Sequence, residues 1–347
     1  MIKRDIHIEI ARSSITELSS MSTESCDAIL AVLSKHYSSV GVSTVNTVAD
    51  LQALVALKPD LVFLGMKYVP TNPALGRDDP NKVWLSEYLM RHGVTSTGST
   101  HHAHLLELEK PLAKKRILDS GLATSAFQIV KQGEATNLIN PALAFPVFIK
   151  PTNRGGGQGI DSYSVANNQV QLTAKVLAIA NNHQADSIIE NYLDGREFSV
   201  AILKDIDSLE YNVMPIELVA RIDDNGSRIL SSIIKSENGE VVLEVKDQAL
   251  RAKINDLALD VFKALGSRDY GRIDIRLDNH GQPNFLEANL IPSLINNYGN
   301  FPKACLLNIG LEYEPMIIKI VNLGLSRNYG LSESIVNRIA MPLIQLA

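Results

Sequence analysis

The chain has 347 residues, of which 45% are hydrophobic and 20% charged, with a formal net charge of -5. That length exceeds what a single hydrophobic core fills and predicts two or three packed units, and an acidic balance without a basic surface argues against nucleic acid as a partner. No stretch of eighteen apolar residues occurs and the start, Met1 to His7, leads into no apolar run, so neither a membrane span nor a signal peptide is expected; two cysteines, Cys26 and Cys305, make no disulfide framework and no metal spacing, which fits a reducing, cytoplasmic setting.

Residues 6–97 alternate between strand and helix. Strands are expected at 6–10, 42–45 and 60–65, helices at 25–35, 48–57 and 82–91, and this βαβαβ order predicts a small parallel sheet whose strand-end loops are free to bind a ligand. The segment 65–80, with three prolines, reads as a loop long enough to be functional. No G-x-G-x-x-G follows the first strand, so a dinucleotide is not expected there. His101, His102 and His104 do not share one helical face and no carboxylate or cysteine completes a ligand set, so they are read as solvated. Residues 109–118 form a helix carrying Lys110 and Lys114 four apart, for which a solvated face is the plain reading.

A strand over 145–151 ends in Lys150-Pro151 and is followed by Gly155, Gly156, Gly157 and Gly159. These glycines let backbone N–H groups converge on an anion. Hairpins use such turns too, but the preceding lysine makes this a stronger phosphate site; it is not a Walker A loop, because no Gly-Lys-Ser/Thr opens a helix. After a helix at 170–181, residues 187–203 read as strand, bend and strand, the bend at Asp194-Gly195 and Glu190 and Glu197 on either side. Such a segment can offer backbone groups to a base and a carboxylate to ribose, or be a hairpin with surface glutamates. Strands at 214–219 and 229–234 continue an antiparallel sheet, the latter ending in Lys235. The helix 247–265 places Ala249, Leu250, Ile254, Leu257, Ala258, Val261 and Phe262 on its buried side. Two helical runs, 315–323 and 332–344, follow as a packed tail.

The stretch with the most chemistry is Tyr270 to Pro292. Ile273, Ile275 and Leu277 alternate with Arg272, Asp274 and Arg276, Asp278-Asn279-His280-Gly281 is strong turn chemistry, and residues 284–289 return as a second strand. If Leu277 faces Asn284, Asp274 faces Glu287, with Asn289 two residues further along the same face. Two opposed carboxylates repel unless a cation or proton lies between them, and an all-oxygen set suits magnesium shared with phosphate better than zinc. An exposed hairpin with solvated charges is the alternative.

Taken in order, Glu109-Lys110-(x3)-Lys114, Phe148-Ile149-Lys150-Pro151, the glycine loop, residues 190–197, Arg272-Ile273-Asp274 and Leu286-Glu287-Ala288-Asn289 resemble the ATP-grasp superfamily, in its D-alanine:D-alanine ligase branch. The resemblance runs from about Gly98 to Ser293. It implies an α/β (α+β) fold with a βαβ parallel-sheet domain over 1–108, a central subdomain with a glycine lid over 109–186, and a C-terminal subdomain with the metal site over 187–347. It further implies that Lys110 and Lys150 hold the α- and β-phosphates under the lid from Gly155 to Gly159, and that Lys235 reaches the γ-phosphate. Glu190, Asn191, Tyr192 and Leu193 would meet the adenine edge, Glu197 the ribose, and Phe148 and Leu286 the ring faces. Asp274, Glu287 and Asn289 would ligate two magnesium ions, with Arg272 on the transferring phosphoryl group and the oxyanion. The implied reaction is phosphorylation of a carboxylate by ATP followed by attack of an amine, in a homodimer.

This sequence departs from that branch in its amino-acid pocket. The glutamate expected after the first strand, to receive an ammonium, aligns with Met21; a serine of the glycine loop aligns with Gly156; a tyrosine after the γ-phosphate lysine aligns with Ser236; and the Asn-x-x-Pro-Gly ending is Asn289-Leu290-Ile291-Pro292-Ser293. These changes favour a specialised ligase over cell-wall dipeptide synthesis, one joining an amino acid to a carboxylate or an enolisable acceptor in the manner of mycosporine-glycine ligases. A non-catalytic ATP-binding module is the competing class; such a protein could be expected to lose Arg272 or a metal ligand first, and Arg272, Asp274, Glu287 and Asn289 are all present.

Overall fold

The computed structural model describes residues 3–134, 136–137, 140–221 and 240–328. The predicted strand 229–234 with Lys235 and Ser236, and the predicted helix 332–344, lie outside the described residues.

In the N-terminal unit, β1 (Arg4–Arg12), α1 (Thr23–His36), β2 (Tyr37–Thr44), α2 (Val48–Ala56) and β3 (Leu61–Leu64) wind into the expected parallel sheet, ordered β2-β1-β3. Ser22 caps α1 by accepting the Ser25 N–H, and Cys26, Ile29, Val32 and Leu33 form its buried stripe. A capping box of Thr47 and Asp50 starts α2. Beyond β3 the expectation fails. Segment 65–80 contains β4 (Tyr68–Pro70), which pairs antiparallel with β5 (Lys82–Trp84), so the predicted helix 82–91 begins as strand and turns helical only at α3 (Leu85–Arg91). Buried Asp79 is the cause. Its carboxylate accepts from Thr71 Oγ1 (2.9 Å), Asn72 N (2.6 Å) and Asn81 N (2.8 Å), folding the turn back so that Val83 lies against Val69.

Two helices, α4 (His101–Leu108) and α5 (Lys110–Asp119), occupy a region read as helical only from 109. His104 is not solvated: it is buried on α4, with Nδ1 3.2 Å from Glu107 Oε2, and burial pushes its pKa below the ordinary imidazole value against the opposing pull of Glu107. Lys110 and Lys114 do not form a solvated face either, since both are buried.

The central sheet contains β6 (Phe127–Val130), β7 (Val147–Pro151), β8 (Val165–Ala166) and β9 (Ser187–Asn191), antiparallel in the order β6-β9-β7-β8; between β8 and β9, α6 (Gln169–His183) packs Leu172, Val176 and Ile179 into its core. Residues 187–203 are no hairpin. Strand β9 stays in this sheet, whereas β10 (Glu197–Lys204) enters the next, and 192–196 cross between them. The change of sheet therefore falls after β9, not at the expected boundary 186/187. Gly195 sits at the crossing, where a Cβ would meet Leu277 O at 2.5 Å.

The C-terminal sheet is antiparallel throughout. With β11 (Tyr211–Ala220), β12 (Glu240–Glu244), α7 (Gln248–Ala264), β13 (Tyr270–Leu277) and β14 (Pro283–Asn289), its order is β12-β11-β10-β13-β14. One face, with Phe198, Val200, Ile202, Ile273, Ile275 and Leu277, packs on Ile254, Val261 and Phe262 of α7. Ala249 is exposed and Leu250 only partly buried, both in the first turn after the cap Asp247. The opposite face, with Ala201, Leu203, Met214 and Ile216, shares one core with the N-terminal sheet through α8 (Asn300–Ile309) and α9 (Tyr313–Asn328). The predicted helix 315–323 is the middle of α9, and α8 was not foreseen.

Candidate active site

The β13–β14 hairpin brings Asp274 opposite Glu287 and Arg272 opposite Asn289. It does so by a route the alternation does not contain. Near the turn Leu277 pairs with Pro283 and Ile275 with Phe285; then the register shifts by one, leaving Leu286 as the extra residue of a bulge. Phe285 and Ala288 are buried in the core, while the neighbours Leu286 and Glu287 both line the cleft on the other side. Asp274 is enclosed by donors: Ser199 Oγ at 2.7 Å, Arg272 Nε and Nη2 at 3.0 Å each, and Asn289 Nδ2 at 3.2 Å. Ser199 stands there because β10 pairs it with Asp274. Burial works against the Arg272 charge, but Asp274 together with Glu287 and Glu107 outweighs it and raises the guanidinium pKa.

A cleft of about 630 Å³ opens between the central and C-terminal sheets. Its walls include Phe148, Lys150, Glu190, Asn191, Tyr192, Leu193, Glu197, Asp274, Leu286 and Glu287, all singled out in the sequence, together with Ile160 and Arg276, which were given no role. The signal for Arg276 was its place in the alternation with Arg272 and Asp274. It donates to Glu197 Oε2 (3.3 Å) and Gly195 O (3.1 Å) and lies over the Tyr192 ring, fixing the Glu197 carboxylate. The Asn191 side chain is turned to structure, donating to Ala142 O and accepting from Ala144 N.

Beneath the cleft lies a buried charge cluster. Glu190 Oε1 is 3.2 Å from Lys150 Nζ and 3.6 Å from Lys114 Nζ, yet makes no aligned hydrogen bond among the described residues. Lys114 instead donates to Thr124 Oγ1 (2.7 Å) and Ser125 Oγ (2.9 Å). Burial brings the Lys114 pKa down to about 8 and lowers that of Lys110, whose Nζ donates to Arg154 O and lies 3.9 Å from Glu287 Oε2. Burial pulls the Lys150 pKa down, but Glu190, Glu287 and Glu197 together hold it above its ordinary value. For Glu190, burial alone would raise the pKa, but Lys114 and then Lys150 bring it below the usual 4.5. The stability this carboxylate contributes is therefore present above its unfolded value and is lost as pH falls through its lower folded one. Urea midpoints of wild type and Glu190→Gln are expected to differ at pH 7 and to converge in acid; a gap unchanged down to pH 3 would show that Glu190 is not ionised in the cluster.

A second opening, of about 1250 Å³, shares Glu287 with the cleft and is lined by Glu17, Ser19, Ser20, Lys67, Arg77, Gly155, Gly156, Gln158, Arg272, Asn289 and Ser293. The first loop reaches this opening through Glu17. Met21 is in the core, 5% exposed, whereas Glu17 stands on the pocket wall four residues earlier. The missed signal was the polar run Thr16-Glu17-Leu18-Ser19-Ser20 directly after β1. Of the remaining sequence-derived site residues, Gly157 and Gly159 lie in the same glycine loop, at φ +80° and +74°.

Comparison with known proteins agrees with this geometry. The family described as D-ala D-ala ligase C-terminus matches residues 117–322. Protein y4sG of Sinorhizobium fredii is 30% identical over 69% of this chain and 68% of its own length, and D-alanine--D-alanine ligase B of Xanthomonas campestris pv. campestris is 27% identical over 78% and 80%. Among solved structures, D-alanine--D-alanine ligase from Bacillus anthracis complexed with ATP superposes with a TM-score of 0.72 at 18% identity, covering 93% of this chain and 99% of that one. The corresponding values for the Coxiella burnetii enzyme are 0.64 and 16%, with 96% and 98% covered. The chain thus has the ATP-grasp fold and belongs to the D-alanine--D-alanine ligase family, the ATP-dependent, ADP-forming ligases.

Proposed function

We propose that the chain joins two amino acids of the D-alanine class. ATP phosphorylates the carboxylate of the first, and the amine of the second displaces phosphate to form the amide. The observation that carries this reading is Glu17, an acceptor for an ammonium group on the wall that also holds Arg272, Glu287 and Asn289. The names of the ligase relatives support it.

The residues fit the nucleotide. Phe148, Ile160 and Leu286 supply apolar faces for the base, the orphaned Glu190 Oε1 an acceptor for its amino edge, and Glu197 a carboxylate for ribose. Lys110 and Lys150 would hold the α- and β-phosphates, and Lys235 the γ-phosphate. Asp274, Glu287 and the amide oxygen of Asn289 form an all-oxygen set, as magnesium shared with phosphates requires, and we assign two ions to it. When bound, magnesium neutralises the phosphate charge. Arg272 would then leave Asp274 to stabilise the phosphoryl group and the oxyanion. We also read the active form as a homodimer, which sedimentation would test.

One observation favours a second reading. The second opening, counted with its space open to solvent, exceeds what two alanines fill, and Lys67 and Arg77, paired with Glu107 (2.9 Å) and Glu17 (3.5 Å), bring cations to its wall, as a bulkier acidic or enolisable acceptor of the mycosporine-glycine kind would need. ADP release with magnesium and ATP decides between them. Release with D-alanine alone supports the dipeptide ligase; release only when an amino acid is paired with such an acceptor overturns it; and no release from any pair, with ATP bound, would point to a binding module.

A further inference from the structure

Glycine loop 153–160 separates the two openings, and among the described residues little packs against its crown. A Cβ at Gly159 would meet Pro151 Cγ at 2.6 Å and His183 Cδ2 at 3.2 Å, so the far end of the loop is wedged against β7 and α6. At Gly155 and Gly156 the same atom would meet none of the described residues within 4 Å. Two polar contacts reach the loop from the turn after β4. Arg77 donates to Gln158 Oε1 and also lies 3.5 Å from Glu17 Oε1, and Arg154 Nη2 is 2.9 Å from Asp78 Oδ1. Arg154 is buried and further donates to Asn153 Oδ1 and His183 O. The turn offering these groups is stiff, because Asp79 collects three hydrogen bonds from its own segment.

We propose that Arg77 and Asp78 are positioning residues that latch the glycine loop onto the N-terminal unit and so close the nucleotide cleft and the acceptor pocket together. Arg77 links three segments, the loop after β1 through Glu17, the turn itself and the lid through Gln158. The consequence for catalysis rests on the ligase reading. Water reaching the acyl phosphate attacks its carbonyl carbon, the C–O bond to phosphate breaks, and the free carboxylate, a proton and phosphate result, so that ATP is spent and no amide forms. A loop held at both Gln158 and Arg154 excludes that water.

The latch can be tested without knowing the substrates. Full-length wild type, Arg77→Ala, Asp78→Ala, their double variant and the surface variant Gln158→Ala are treated with trypsin, and cutting at the Arg154–Gly155 bond is timed by mass spectrometry. This is done without nucleotide and with magnesium and a non-hydrolysable ATP analogue, whose binding is measured separately by calorimetry. With thermal midpoints unchanged, the double variant is expected to be cut about fivefold faster in both conditions, and Gln158→Ala about twofold. Arg77→Lys, which keeps the charge and loses the guanidinium fork, is expected to fall between. Equal rates in all folded variants would overturn the latch. If the analogue binds none of the proteins, the nucleotide reading fails, and the nucleotide-free rates still decide the latch. In the working ligase, phosphate released per amide formed should rise above one in the double variant while remaining near one in wild type.

Discussion

Glu287→Gln is expected to fold normally and to lose turnover by at least about 100-fold. Its backbone pairing with Asp274 does not depend on the carboxylate, and the side chain is only half-buried, so the isosteric amide leaves the hairpin in place. What disappears is one of two opposed negative charges. The amide still offers an oxygen but attracts a divalent ion far less, so the loss should appear as a raised magnesium requirement, partly relieved at high magnesium. Thermal unfolding with a magnesium titration of ADP release separates these effects. A folded Gln variant turning over at the wild-type rate would remove Glu287 from the metal site.

Lys150→Ala should act on both stability and nucleotide binding. Lys150 is 5% exposed and lies 3.2 Å from Glu190, so deleting it leaves a buried carboxylate with Lys114 as its nearest cation, at 3.6 Å. Removing one partner of a buried pair costs about 3–5 kcal/mol, and the apparent KM for ATP should rise at least about tenfold with loss of a phosphate-binding cation. The double variant Lys150→Ala/Glu190→Gln separates the two, since neutralising the orphaned carboxylate should restore most of the stability and none of the ATP affinity. If the double variant recovered ATP binding as well, Lys150 would be a structural ion-pair partner and not a phosphate ligand.

Much of this site was legible because its residues sit on short, strongly patterned strands. The alternation in 272–277 marks the faces of β13, and the glycines at Gly155–Gly159 and the Asp194-Gly195 pair mark a loop and a bend. What escaped depended on distant partners. Nothing local distinguishes Lys110 and Lys114 on a solvated helix from the same residues buried, because their partners lie elsewhere in the chain, Arg154 O and Glu287 for Lys110, and Thr124, Ser125 and Glu190 for Lys114. His104 looked solvated for the same reason, its partner Glu107 lying in a helix the pattern did not delimit. The strand 82–84 was hidden by Asp79, whose hydrogen bonds fold the turn, and Glu17 by the shortness of the run that carries it. The order of sheets was equally illegible: strands 187–191 and 197–204 carry similar residues, and only pairing assigns them to different sheets.

The bulge at Leu286 has a consequence for how this family tolerates insertions and deletions. A strand of regular pleat shows every second residue to a ligand, so it could offer either an apolar contact or an acid at adjacent positions, not both. With one residue unpaired, Leu286 and Glu287 both face the cleft from consecutive positions, and the spacing Phe285-Leu286-Glu287-Ala288 becomes indivisible. Loss of Leu286 would restore a regular pleat that keeps Glu287 opposite Asp274 but removes the apolar contact beside it, whereas an added residue would put the strand beyond it out of phase. Length changes in relatives should therefore collect in the 278–282 turn, where a longer or shorter connection leaves the phase of both strands intact.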